Sequence, residues 1–379
     1  MPTPALTDVQ IKAAFDSLKI HGNKIDAAAA IGISRGALQH RIRTGEARGY
    51  SPEHNMNHMA AAGYLTKGTS TLYDPDGNMK MQWVKTSRDA EQQQIALQEA
   101  IKAMSEDVPR IKPSKETPKN TADTLMTIYP VGDHHMGMLA WNEETGGKDY
   151  NIEISENLLN RAMQHLVDAS PPAKESAILV LGDFLHYNTL VPTTKSGHIL
   201  DADSRYPQVV RAAIRCIRFI VDAALKKHET VRLVLEKGNH DESTTILLIE
   251  MFYMHYENEP RVTVDRSPRN CHVFKFGNNL IATHHGDKIK LDKLPLVVAT
   301  DWPEIWGQTM HRVVHTGHIH HDHIKEHPGL ITESHGILAP KDAWAAENGY
   351  RAKSSMKAIF YHKEHGEVGR NTVTPDMLK

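Results

Sequence analysis

The chain has 379 residues, 44 of them Lys or Arg and 46 Asp or Glu, for a formal charge of -2. That length suits a catalytic domain with a small appendage, and so even a balance gives no reason to expect the whole surface to bind a nucleic acid or a membrane. No apolar run approaches the ~20 residues a bilayer demands, and Ala5 and Val9 sit among polar residues rather than in a secretion signal, so a soluble cytoplasmic protein is expected.

The charge is uneven, because residues 1–50 carry seven Lys or Arg against four Asp or Glu. A basic end on a slightly acidic body suggests a module with its own partner. Three short helices are predicted there. Thr7 can cap the first, whose apolar positions are Val9, Ile11, Ala14, Phe15 and Leu18, with a break at His21-Gly22. Asn23 can cap a second through Ala30, and Ser34 a third running to about Arg43, before Gly45. Residues 67–86 read as a hairpin around Asp74-Pro75-Asp76-Gly77, with Ser70, Leu72, Met79 and Trp83 in its strands. Residues 91–104 read as helix, and the proline- and lysine-containing stretch 105–124 as linker.

From Leu125 the texture changes. Apolar strand-like runs at 125–131, 177–181, 231–235, 280–282 and 313–315 alternate with helical stretches at 155–169, 207–227 and 243–256. Such alternation argues for an α/β core. A last strand is expected at 356–361, ending in a turn at Gly366. Cys216 and Cys271 are far apart in unlike contexts and are expected to be buried free thiols.

The 25 histidines crowd the ends of the apolar runs. The five runs end in Gly132-Asp133-His134-His135, Gly182-Asp183-Phe184-Leu185-His186, Gly238-Asn239-His240-Asp241, His284-His285-Gly286-Asp287 and Gly317-His318-Ile319-His320. In open α/β sheets ligands sit beyond the carboxyl ends of the strands, so these clusters should converge on one crevice. One such cluster means little, since a solvated loop end would read the same way. Five in order, each after an apolar run, point to a metal centre.

This ordered set resembles the motifs of the calcineurin-like metallophosphoesterases over about 125–365. The resemblance implies an αββα sandwich of two mixed sheets. It implies that Asp133, His135 and His320 hold one divalent ion and Asn239, His285 and His318 another, with Asp183 bridging them. A shared anion between paired ions agrees with the physics of such centres. Mixed imidazole and carboxylate ligation suits Mn best here, with Fe or Zn as alternatives to it. The resemblance also implies that His240 is the general acid near the scissile phosphate, with Asp241 holding its other ring nitrogen. His134, His284 and His321, beside ligands on an alternating backbone, are expected to face away.

The second motif discriminates among substrates. Gly182-Asp183-Phe184-Leu185-His186 has no Arg nearby and is similar to the motif of SbcD-type DNA-repair nucleases, which implies that His186 meets a phosphodiester. A bidentate Arg would suit a dianionic monoester, whereas a single donor suits a diester. The loop 189–206, with Thr193, Thr194, Lys195, His198 and Arg205, is expected to flank the cleft. No long capping domain of the SbcD type is expected after Gly317.

Residues 22–38, GNKIDAAAAIGISRGAL, resemble Fis-type helix-turn-helix segments. Ala28 is small where helices cross, Gly32 permits the turn, and Leu38 and Ile42 pack inward. Arg35, Gln39, His40, Arg41 and Arg43 are left for DNA. The hairpin sequence at 81–85, MQWVK, is similar to proteins of tailed bacteriophages, which would make the location a host cytoplasm.

The expected organisation is therefore a helix-turn-helix at 1–48, a connector at 49–104, a linker at 105–124 and a catalytic domain at 125–379. The expected activity is a nuclease dependent on two metals, with DNA as partner and no membrane; a homodimer or a partner protein is left open. Two alternatives stand beside it. One is an enzyme acting on a small molecule or phosphoprotein, and the other a DNA-binding protein with a vestigial metal site.

Overall fold

In α1 (Asp8–His21) the Thr7 hydroxyl and the Gln10 side chain form a reciprocal capping box, and Gly22 ends the helix at a φ of 70°. In α2 (Lys24–Ala30) the Asn23 side chain accepts from the N–H groups of Ile25 and Asp26. In α3 (Arg35–Ala47) the Ser34 hydroxyl accepts from Ala37. Ala14, Ala27, Ala28, Leu38 and Ile42 form the small core these helices share. The third helix runs beyond Arg43, through Gly45. That glycine is no stop signal. It is a point of close approach, because a Cβ there would lie 2.6 Å from the Phe15 ring and 2.7 Å from Ile11.

A computed structural model of the chain describes residues 6–54, 56, 59–60, 64–74, 79–88, 117–193 and 200–378. It divides into two units, Met1–Ala96 and Leu97–Lys379. In the first, β1 (Tyr64–Tyr73) and β2 (Met79–Arg88) pair antiparallel, setting Ser70 opposite Trp83 and Leu72 opposite Met81. The hairpin turn at 75–78, the helix expected at 91–104, most of the expected linker, and Thr194, Lys195 and His198 lie outside the described residues.

The second unit begins its sheet earlier than the composition suggests. β3 spans Ala122–Val131, so the last residues of the expected linker are strand. β4 (Ala173–Val180), β5 (Thr230–Leu235) and β6 (Val262–Val264) continue parallel to it. β7 (His272–Phe276), β8 (Asn279–His284), β9 (His311–Thr316), β10 (His323–His327) and β11 (Leu330–Ser334) build a second sheet, ordered β10-β11-β9-β8-β7. β12 (Met356–His362) and β13 (Gly366–Val373) complete the first, ordered β13-β12-β3-β4-β5-β6. Gly366 thus opens another strand instead of closing the domain. Both sheets mix parallel and antiparallel pairs.

Strand alternation assigns the layers. Ile178 and Val180 of β4 face a core shared with α4 (Ile152–Ala169), α5 (Tyr206–Lys227) and α6 (Glu242–Tyr256). Their neighbours Ala177 and Leu179 face Phe274, Ile281 and Val313 of the other sheet. On the far side, Leu280, Ala282 and Val314 pack under Leu294 and Val298 of α7 (Leu294–Asp301). The result is the αββα sandwich of two mixed sheets. Cys216 and Cys271 are free and buried. Among the described residues no helix is long and apolar enough to cross a membrane.

Candidate metal centre

The five clusters lie just past the ends of β3, β4, β5, β8 and β9. Turns, rather than strand alternation, aim their side chains. β9 stops at Thr316, and His318 and His320 adopt φ values of 70° and 57°. His135 and Asp183 are likewise left-handed, at 50° and 49°. Each such conformation costs of order 1–3 kcal/mol in a residue with a Cβ, and such strain clusters at functional sites. Two glycines make room for the resulting close approach. A Cβ on Gly182, whose φ is 94°, would lie 2.4 Å from His285 Nδ1, and one on Gly238 would lie 2.0 Å from Asp183 Oδ1.

Two donor groups result. In one, Asp133, His135 and His320 converge, with His135 Nε2 3.2 Å from His320 Nε2 and His320 Nε2 3.5 Å from Asp133 Oδ1. In the other, Asp183, His285 and His318 converge, and Asn239 joins them with Oδ1 3.1 Å from His285 Nε2. His285 Nε2 is also 3.2 Å from Asp183 Oδ2. Asp133, Asp183, His135 and His285 are buried, while Asn239, His318 and His320 are half-buried. His318 N–H closes on Asp133, donating to both carboxylate oxygens at 2.9 and 3.0 Å.

These groups fit divalent cations on two counts. Two atoms about 2.1 Å from one ion at tetrahedral to octahedral angles lie ~3.0–3.4 Å apart, and the contacts here run from 3.1 to 3.5 Å. The donors also face one another. His285 Nδ1 donates to the Leu181 carbonyl at 2.8 Å, leaving the Nε2 lone pair aimed at the Asp183 and Asn239 oxygens. Only a proton or a cation relieves three acceptors so placed. The electrostatics express the same demand. Burial would lower the basicity of His285, but the hydrogen bond and charge of Asp183, with Asp133, push its pKa up to about 10.

Beside the first group, His186 Nδ1 lies 3.3 Å from His135 Nδ1, and the His186 and His240 rings stack with centroids 5.5 Å apart. His186 is buried, and burial and the His240 charge push its pKa down to about 3. Its Nε2 has no hydrogen-bond partner among the described residues. His240 is half-buried and is the more accessible imidazole of the pair. Its Nδ1 donates to the His186 carbonyl at 2.8 Å.

That bond corrects the role expected of Asp241. The carboxylate of this buried residue accepts instead from the N–H groups of Leu185, at 3.0 Å, and Gly238, at 3.1 Å. It fixes two turns rather than an imidazole. His134 packs its ring beside Phe184 and Tyr150, His284 Nδ1 accepts from Gly286 N–H, and His321 is exposed. None of the three joins a donor group.

A further buried group, His315, Glu333 and His335, brings one donor atom from each residue within 4.8 Å of the others. His335 Nε2 meets His315 Nδ1 at 2.9 Å, while its Nδ1 faces Glu333 at 3.9 Å. Glu333 is already gripped by Arg370 through two contacts, at 2.6 and 3.2 Å. In the N-terminal unit, Arg35, His40 and Arg43 are exposed on α3, with Gln39 and Arg41 half-buried.

Residues 126–359 match the model of the calcineurin-like phosphoesterase family, and the chain belongs to that family. It is accordingly a metal-dependent phosphoesterase, and its His/Asp groups suit divalent ions. No curated protein matches it. Among solved structures it is similar to a predicted phosphoesterase from Streptococcus pneumoniae TIGR4, at 11% identity, covering 67% of this chain and 92% of that one with a TM-score of 0.29. It is also similar to Vps29 from Chaetomium thermophilum, at 14% identity, 66% and 99% coverage and a TM-score of 0.29. Zn2+-complexed Vps29 from Entamoeba histolytica is similar at 13% identity, 66% and 99% coverage and a TM-score of 0.28.

Proposed function

We propose that residues 125–379 form a two-metal phosphodiesterase, a nuclease acting on DNA, and that residues 1–48 are the helix-turn-helix that brings it there. Residues 49–104 and 105–124 serve as connector and linker. The observation that carries the catalytic half is the pair of inward-facing donor groups at coordination spacing. In this reading Asp133, His135 and His320 would hold one ion and Asn239, His285 and His318 the other, with Asp183 available to both. Mn is the favoured metal, with Fe or Zn as alternatives. When bound, such ions act as Lewis acids on phosphoryl oxygens and lower the pKa of water.

The chain's own residues supply the rest. His240, with Nδ1 donating to the His186 carbonyl, presents Nε2 to the leaving oxygen and acts as general acid. The His186 ring stacks on His240 and abuts His135, and its Nε2, without a partner among the described residues, is the donor that meets the phosphodiester in this reading. Asp241 holds the turn from which Asn239 and His240 project. Residues 183–193 contain no Arg, which favours a monoanionic diester over a dianionic monoester. The SbcD-type second motif favours the same substrate. Arg35, His40 and Arg43, exposed on α3 with Gln39 and Arg41 beside them, support DNA as the partner. The likeness to tailed-phage proteins would place the enzyme in a host cytoplasm.

The test is turnover by the full chain with Mn2+ of bis-p-nitrophenyl phosphate, p-nitrophenyl phosphate and duplex DNA. Preference for the diester with cleavage of DNA is expected. Faster monoester turnover with DNA intact would shift the substrate to a small molecule or phosphoprotein. No turnover of any substrate would make the metal site vestigial.

A further inference from the structure

β5 and β8 belong to different sheets, yet one hydrogen bond ties them together behind the second donor group. Glu236 follows β5 directly, three residues before Asn239, and Thr283 lies in β8, two residues before His285. Thr283 Oγ1 donates to Glu236 Oε1. The Glu236 N–H donates to the Val180 carbonyl at 2.8 Å, at the end of the strand that leads to Asp183. One residue therefore touches the roots of three segments carrying donor atoms.

The other Glu236 oxygen faces His272 Nε2 at 3.9 Å, and His272 Nδ1 lies 3.1 Å from Asp265 Oδ1. Glu236 and His272 are buried. A neutral Gln would accept from Thr283 equally well and would avoid the cost of desolvating a carboxylate. What the carboxylate adds is charge. Burial pushes the Glu236 carboxyl pKa up, and the charges of His272 and of His285 pull it part of the way back. Two carboxylates, Asp265 and Glu236, face the one His272 ring, so the trio keeps surplus negative charge. The second donor group has no carboxylate of its own, since Asn239, His285 and His318 are neutral ligands and Asp183 is shared, whereas the first group includes Asp133.

We infer that Glu236 is a positioning residue for the ion at Asn239, His285 and His318, spacing β5 against β8 through Thr283 and supplying negative charge from behind. This rests on the two-metal reading above. Residues that support metal ligands typically change affinity 10–100-fold.

Full-length wild type, Glu236→Gln, Glu236→Asp, Thr283→Val and Asn239→Ala are titrated with Mn2+ alone by calorimetry, and with Co2+ followed by visible absorption. Circular dichroism of each metal-free protein checks the fold. Wild type is expected to take two ions, and Asn239→Ala identifies the step belonging to the second. Glu236→Gln is expected to weaken that step about 10–100-fold and leave the other unchanged. Glu236→Asp, which keeps the charge, and Thr283→Val should lose less. Glu236→Gln binding both ions as wild type does, or weakening both alike, overturns the inference, as does Glu236→Asp faring worse than Gln. If Glu236→Gln is unfolded, Thr283→Val decides, and an unchanged second step in it overturns the inference. Wild type that binds fewer than two ions overturns the two-metal reading and this inference with it.

Discussion

Replacing Gly238 by Ala tests the crowding of the centre without touching a ligand. The added methyl would lie 2.0 Å from Asp183 Oδ1 and 2.2 Å from the Asp183 backbone nitrogen. Ordinary carbon contacts with such atoms are about 3.5 Å, so more than 1 Å of relief is needed. A backbone nitrogen cannot swing aside as a side-chain tip can. Either Asp183 or the 238–241 turn must move, and Asp241 already clamps that turn through the Gly238 N–H. Overpacking of this kind costs about 1–3 kcal/mol, and a 1 Å misplacement at a reacting centre costs about 100-fold in rate. For a unit of this size that stability loss lowers Tm by roughly 2–12 °C. The control is Gly307→Ala, where a Cβ meets nothing within 4 Å. Chromogenic diester turnover and a thermal melt measure both effects. Gly238→Ala with turnover within threefold of wild type and an unchanged Tm would refute the reasoning.

His186→Ala should impair diester hydrolysis more than monoester hydrolysis while two ions remain bound; equal loss of both activities would reduce the ring to packing. Changing Arg35, Arg41 and Arg43 together to Ala should flatten the slope of log K for duplex DNA against log salt by roughly 2–3, with chromogenic turnover intact, and salt titrations of both proteins check it. Acid sensitivity should reside partly in His228, whose Nδ1 donates to the Ala173 carbonyl and whose Nε2 accepts from Tyr129. Burial pushes its pKa down to about 4. The unfolded chain takes up that proton below about 6.5, so stability should fall as pH drops from there towards 4, by at most ~1.4 kcal/mol per pH unit for one proton. Denaturant melts of wild type and His228→Gln across that window should show a shallower slope for the variant.

The donor groups were legible because their chemistry is local. An Asp or His beside a Gly at the end of an apolar run announces itself wherever the run occurs, and β3, β4, β5, β8 and β9 each supplied one. In the second unit, strands without such a run were not read. β10 is exposed along most of its length and alternates nothing apolar, so only its pairing with β11 reveals it. Gly45 read as a stop because glycine usually ends helices, whereas here its missing side chain admits Phe15 and Ile11. The resemblance implied that Asp241 holds His240, but a shared motif does not fix the direction of a side chain, and its carboxylate turns to Leu185. Glu236 belongs to no motif and becomes visible only when Thr283 of the other sheet is seen against it.

Two ions that share Asp183 would both depend on its charge. Asp183→Asn keeps the size of the side chain and can still accept from the His240 N–H, now made at 2.7 Å, while removing the charge that both ions would need. Metal content by elemental analysis, beside diester turnover on the same sample, is the direct measurement. About two divalent ions are expected in wild type, with their loss in Asp183→Asn and turnover falling to background. Asp183→Asn with wild-type metal content and wild-type turnover would contradict that sharing.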